Sequence, residues 1–336
     1  MSSFMLNIPS HYQGKMIEYN EPVFLIGSCF TEHIGNALAN YKFPVLQNPN
    51  GILFDPASTV HALKSYIKPT LYTEKDIFYL NDVWQSWYHH SRFSALTPEA
   101  CLNKMNQSQE EAHRFLKTAK WLIITLGSSF SYRLTNQAAA TGGGAGLGVA
   151  NCHRAPQQWF DKHMMTIEET VTSLDNMLHQ LFFFNPGIQV IFTVSPVRHI
   201  RDGVVANNRS KARLLESVHH LVNKFDRLHY FAAYELVIDV LRDYRFFDVD
   251  MVHPNYAATN FVLENFMKEF VSGEANQIAE HVQKLVTAAK HRPMHEGTNA
   301  HQVFLKTQAE KARQLMKEYP FLDFSKELDH FLKGKL

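Results

Sequence analysis

The sequence predicts an α/β fold in which a parallel sheet is covered by helices on both faces. Three observations carry this expectation. Short runs of branched and aromatic residues recur at 23–26, 43–46, 121–126, 190–194 and 228–231, and most are near-continuously apolar, the pattern of strands buried on both faces. Between them lie longer segments whose apolar residues recur at three- and four-residue spacing, as in amphipathic helices. The runs end in turn residues such as Gly27-Ser28, Gly127-Ser128-Ser129 and Ser195-Pro196. Polar groups are thereby placed at the carboxyl ends of strands, where open α/β sheets bind ligands.

Each element follows in order. Gly27 breaks the first strand, and residues 31–41 carry Ile34, Leu38 and Tyr41 on one helical face. Ser28 stands between them. Such a serine commonly caps the helix. Chemically, a hydroxyl there also faces the positive end of the helix, with backbone N–H groups at hand to hold an oxyanion. The second strand, 43–46, leads into the turn-rich loop Gln47-Asn48-Pro49-Asn50-Gly51. A helix over 55–67 has Asp55 as its cap. Residues 71–95, with Phe78, Tyr79, Trp84, Trp87 and Tyr88, read as an inserted hairpin. Its aromatic residues form either a small core of their own or a wall for a sugar or acyl group. His89 and His90 are neighbours on a strand, point to opposite faces and make a poor metal pair.

An amphipathic helix over 98–120 feeds the third strand. The glycine-rich run 141–146 lacks the Lys-Ser/Thr of a phosphate-binding loop and reads as a flap over the site or a solvated linker. A helix over 167–184, the fourth strand and a helix from Asn207 to about 225 come next, then the fifth strand and a short helix over 234–241. Pro254 opens a helix over 256–270. Ser272-Gly273-Glu274 marks a boundary, beyond which 275–289 and 303–319 are charged amphipathic helices without a site motif. The expected organisation is one domain over 20–271, with insertions near 71–120 and 133–165, and a helical extension over 272–336. That extension packs on the domain or joins two copies of the chain into a homo-oligomer.

With 336 residues the chain can bury a large core, and 45% hydrophobic against 19% charged residues is ordinary for a globular protein. A net charge of +1 gives no electrostatic reason to expect nucleic acid or an anionic membrane as partner. Cys29, Cys101 and Cys152 show no zinc-site spacing, and neither a metal nor a cofactor is expected. The N-terminus lacks a secretory pattern and no apolar run reaches membrane-spanning length, so the expected location is cytoplasmic.

The chemistry rests on Asp250-Met251-Val252-His253-Pro254. A serine hydroxyl is a poor nucleophile until an imidazole takes its proton, and the imidazole needs a carboxylate to fix its tautomer. An Asp three residues before a His reaches the imidazole's nearer nitrogen within one turn. Ser28, Asp250 and His253 then form a triad, with no Gly-x-Ser-x-Gly elbow at Ser28. Cys29 is a rival nucleophile, expected to turn away if Ser28 faces the site.

A strand-ending Gly-Ser near the N-terminus with Asp-x-x-His late in the fold resembles the SGNH (GDSL-like) hydrolases. Gly27-Ser28-Cys29-Phe30 more closely resembles the GSCFA family, although Thr31 replaces that family's alanine. Asn48-Pro49-Asn50-Gly51-Ile52, Val149-Ala150-Asn151-Cys152-His153, Thr193-Val194-Ser195-Pro196-Val197-Arg198 and Asp243-Tyr244-Arg245-Phe246 are also similar to it. The resemblance implies a three-layer flavodoxin-like fold and ester chemistry through the Ser-His-Asp triad, on an O-acyl or acetyl ester of a carbohydrate or small molecule. It implies Gly51 as an oxyanion donor beside the Ser28 N–H, with Asn50 nearby. Ser129 stands where the pattern has its second donor, an asparagine; Ser129 itself, Asn50 or Asn151 would have to serve. Arg198 at the end of the fourth strand binds a substrate anion or locks its loop. Two alternatives remain: an O-acyltransferase, and a silent scaffold that binds a glycan or protein partner.

Overall fold

The computed structural model describes residues 6–9, 12–141, 143–291, 293–295 and 297–333; Gly142 of the glycine-rich run, Arg292 and the first five residues of the N-terminal segment lie outside them. In chain order the elements are β1 (Val23–Gly27), α1 (Cys29–Asn40), β2 (Val45–Gln47), α2 (Pro56–Ile67), β3 (Phe78–Leu80), β4 (Val83–Gln85) and α3 (Pro98–Thr118). There follow β5 (Trp121–Leu126), β6 (Phe130–Leu134), β7 (Gly148–Val149), β8 (Phe160–Met164), α4 (Ile167–Phe184), β9 (Gln189–Val194), α5 (Val204–Lys224) and β10 (Leu228–Tyr230). The short α6 (Ala233–Glu235) and the longer α7 (Tyr256–Phe270), α8 (Gly273–Lys290), α9 (Asn299–Glu318) and α10 (Ser325–Lys333) complete the order.

The central sheet has the order β10-β9-β5-β1-β2, and every pairing is parallel, as the sequence predicts. Strand alternation divides its side chains between two cores. Phe24, Ile26, Leu122, Ile124 and Phe192 pack under α2 to α5. Val23, Leu25, Trp121, Ile123 and Ile191 pack under α1 and α7 to α10. The result is three layers with helices on both faces. From β1 the chain steps outward to β2, then returns to place β5 on the other side of β1. That reversal opens a crevice between the carboxyl ends of β1 and β5, the usual place for a ligand in such sheets.

Two further sheets sit above that edge. The hairpin β3-β4 occupies the stretch where the aromatic pattern predicts one. The antiparallel sheet β7-β6-β8 is additional to the strands the sequence predicts, although Phe130-Ser131-Tyr132-Arg133-Leu134 does alternate. α10 is also additional to the two C-terminal helices the sequence predicts. α5 begins at Val204, a turn earlier than expected, because Asn207 does not cap it: the Asn207 amide oxygen accepts from the His199 N–H at 2.9 Å instead. Among the described residues, no helix is long and apolar enough to cross a membrane.

Candidate active site

The turn from β1 into α1 is fixed by close approach of two strands. Gly27 has φ 140°, and a Cβ there would lie 2.1 Å from the Thr125 carbonyl oxygen, so only glycine fits. Ser28 is extended (φ −68°, ψ 172°), and its N–H donates to the Thr125 carbonyl at 3.0 Å. Its side chain does not cap α1. It is 1% exposed, and its Oγ has no hydrogen-bond partner. Cys29, the first helical residue, is half-buried and lines a cavity of about 700 Å³ together with Asp250, Val252 and His253. Ser28 is not among the lining residues. Cys29, expected to turn away if Ser28 faces the site, contributes to the cavity wall. The extended Ser28 and the helical Cys29 send consecutive side chains in different directions.

Asp250 and His253 meet as the spacing predicts. Asp250 Oδ2 lies 2.6 Å from His253 Nδ1, while Oδ1 accepts the N–H groups of Val252 and His253 at 2.9 and 3.0 Å. The tight loop is bought at Met251, whose φ of 58° is unusual for a side chain of its size. Hydrogen bonds from the His253 backbone and side chain, then from Val252, hold the Asp250 carboxyl down at about 2, so it is ionised throughout the neutral range. No hydrogen bond engages His253 Nε2 among the described residues. Arg198 braces this loop: its N–H donates to the Val252 carbonyl at 3.4 Å, and its guanidinium lies 4.4 Å from the centre of the Phe247 ring. It also lines the cavity.

The candidates for holding an oxyanion separate clearly. The Gly51 N–H donates to the Asn48 carbonyl at 2.7 Å, and φ of 85° with His90 only 2.1 Å from a would-be Cβ explains the glycine. Asn50 is tied to the Tyr88 carbonyl at 3.3 Å and to the Tyr66 hydroxyl at 2.7 Å. Ser129 is buried, its N–H and Oγ both directed to Ser210 Oγ at 2.8 and 3.1 Å. None of Gly51, Asn50 and Ser129 lines the cavity, and the Ser28 N–H is also committed. Asn151 differs. It lines the cavity, and its buried Nδ2 has no hydrogen-bond partner.

Two residues that sequence reasoning passed over lie against the same edge. Lys211 on α5 is 1% exposed and donates to the carbonyls of Gly127 and Ser195 at 2.5 and 2.6 Å, tying the ends of β5 and β9 together. Burial pushes its ammonium down to about 7. His199 Nε2 lies 3.1 Å from the same Gly127 carbonyl; burial, then the Lys211 charge, lowers it to about 4, so a neutral ring donates that bond. A signal existed for Lys211: it shares the apolar stripe of Leu214, Val218 and Leu221 at helical spacing. A second cavity of about 570 Å³, walled in part by Ser58, His61, Tyr88, Ser131 and Arg133, shares Tyr132 and Ala150 with the first. Among the described residues, no group of three or more His, Cys, Asp or Glu is arranged to hold a metal.

A family model described as the GSCFA family matches residues 22–266, and one described as the GSCFA domain protein, C-terminal domain, matches residues 282–334. No curated protein matches the chain. Among solved structures, the chain is similar to a Clostridium thermocellum family 3 carbohydrate esterase at 9% identity and TM-score 0.34, over 79% of this chain and 99% of that one. It is similar to a family 3 carbohydrate esterase from Talaromyces cellulolyticus at 10% identity and TM-score 0.32, over 80% and 98%. An acetyl xylan esterase from the rumen bacterium Butyrivibrio proteoclasticus matches at 11% identity and TM-score 0.29, over 78% and 66%. Likenesses this distant say nothing about the chemistry of the cavity.

Proposed function

The chain belongs to the GSCFA family, and from that premise and the geometry of the cavity we propose that it is an acyl-ester hydrolase of the SGNH type. The observation that carries the reading is the Asp250–His253 pair, joined at 2.6 Å on the wall of a cavity that Cys29, the first residue of α1, also lines. Asp250 fixes the imidazole with Nδ1 protonated, which leaves Nε2 as the base. Nε2 takes the proton of a nucleophile on the β1–α1 turn, an acyl-enzyme forms, and water attacks it with the same imidazole as base. Asn151 Nδ2 is the donor for the oxyanion. The adjoining cavity, walled in part by Ser58, Tyr88, Ser131, Tyr132 and Arg133, suits a polyhydroxylated alcohol as leaving group, hence an O-acyl or acetyl ester of a carbohydrate or small molecule.

Turnover of a panel of acetyl and longer acyl esters tests the proposal. The wild type should hydrolyse short acyl esters, His253→Ala should lose at least about 10³-fold in kcat/KM, and Asp250→Asn should lose less because it disturbs only orientation and tautomer. An acyltransferase would show the same dependence but release product faster when an acceptor alcohol is added. A silent binding scaffold is favoured by one observation, the commitment of Gly51, Asn50 and Ser129 to other partners. It predicts no turnover across the panel and no trapped acyl-enzyme, and that result would end the hydrolase reading.

A further inference from the structure

We propose that the acyl side of the ester is a chain longer than acetyl, received by Phe54 in the crevice between β1 and β5; the inference rests on the hydrolase reading above. Phe54 is fastened to both strand ends through the backbone. The N–H of its neighbour Leu53 donates to the Gly27 carbonyl at 2.9 Å, and the Phe54 carbonyl accepts the N–H groups of Gly127 and Ser128 at 2.8 and 2.9 Å. Leu53 turns into the core under α2 to α5 and is 1% exposed, whereas Phe54 is 38% exposed and lines the cavity of about 700 Å³. An aromatic ring left open at the carboxyl edge of a parallel sheet is placed to meet a ligand.

Gly127 shows how near that ring comes to Ser28. A Cβ on Gly127 would lie 3.2 Å from the Ser28 Cβ and 3.3 Å from the Phe54 Cδ1, so the two side chains flank one point. An acyl carbon bonded to the Ser28 hydroxyl oxygen would carry its chain within reach of the Phe54 ring. That ring meets His199 edge-on, with centroids 6.0 Å apart, and His199 is held in turn by its Nε2 on the Gly127 carbonyl at 3.1 Å. Phe130, Val197, Ile200 and Val252 add apolar surface to the same cavity wall, and the Lys162 charge on that wall is paired with Asp202. An acetyl group has one methyl beyond its carbonyl and would touch little of this surface. A chain of about four to six carbons would cover it and gain from each methylene withdrawn from water. The hydroxylated alcohol then keeps the neighbouring cavity.

A series of chromogenic esters of one alcohol, from acetyl through butyryl and hexanoyl to octanoyl, tests the inference. In the wild type kcat/KM should rise about 4-fold per added methylene up to hexanoyl. Phe54→Ala should cut the hexanoyl-to-acetyl ratio by at least about 10-fold, and Phe54→Leu should retain most of it. Circular dichroism of both variants separates a lost wall from a lost fold. Calorimetry with hexanoate and acetate reads the same wall without turnover: hexanoate should bind the wild type more tightly, and Phe54→Ala should erase the difference. A wild type that prefers acetyl, or ratios indifferent to Phe54→Ala, overturns the inference and leaves the hydrolase reading intact. If no ester is turned over, the hydrolase reading fails. A hexanoate preference that depends on Phe54 would then still put an acyl chain against that ring, and its absence would remove the chain along with the reaction.

Discussion

Asn151 shows what one amide can decide. Its Nδ2 is buried, unpartnered and on the cavity wall, an arrangement that costs stability unless a ligand oxygen completes it. Asn151→Ala should therefore lower kcat by about 10²-fold with KM little changed, and Asn151→Asp should be worse because a carboxylate repels the developing negative charge. Steady-state kinetics with a short acyl ester checks both; a rise in KM alone would make Asn151 a ground-state contact. At this scale the legible part of the site was the local part. Asp250 and His253 are three residues apart, so one turn brings them together wherever it sits. The directions of Ser28 and Cys29, and the partner of the Gly51 N–H, depend on the neighbouring strand and on the Asn48 carbonyl, which spacing does not encode.

α5 carries the unusual lysine of the molecule. Lys211 falls to about 7 in the fold and returns to about 10.4 when unfolded, so between those values the unfolded chain holds a proton the folded chain has shed. Stability contributed through this group then rises with pH across that window and is flat outside it. The rise between pH 7 and 9 should be about 2 kcal/mol larger in the wild type than in Lys211→Met, read by urea unfolding at both values. An equal pH dependence in the two proteins would show that the ammonium is well solvated. A neutral amine has two N–H donors, matching the two carbonyls it meets. Elements buried on both faces, such as β1, β5 and β9, were readable because each residue of the run must be apolar. β6, β7 and β8 were not, since a short sheet lying over the rim is half exposed and its polar positions resemble a loop.

The C-terminal helices share their apolar cluster with the central sheet. Boundary residues 272–274 look like a linker, yet Val282, Leu285, Leu305 and Phe324 join the same apolar cluster as Val23 and Leu25 of the first strand. Lys42 adds a salt bridge to Glu327 at 3.0 Å across that junction. The expectation is a single cooperative unit, in which Phe324→Ala, at a fully buried position, costs about 3–5 kcal/mol and lowers one melting transition for sheet and helices together. Far-ultraviolet and aromatic circular dichroism would follow it. Two separated transitions, with the C-terminal helices melting first, would instead support an independent extension.

The place of α8 to α10 against β1 also sets a clock on synthesis. A chain growing at about 5–20 residues per second finishes α10 roughly 15 to 60 seconds after Cys29 is made. Through that interval Val23, Leu25, Phe30 and Ile34 lack their final cover, and the apolar faces of the nascent chain are a natural target for chaperones. His253 arrives late in the same interval, so the turn after the first strand is translated well before the Asp250–His253 pair that shares its cavity. The two walls of the cavity thus leave the ribosome at different times and meet only when the core around the first strand can close.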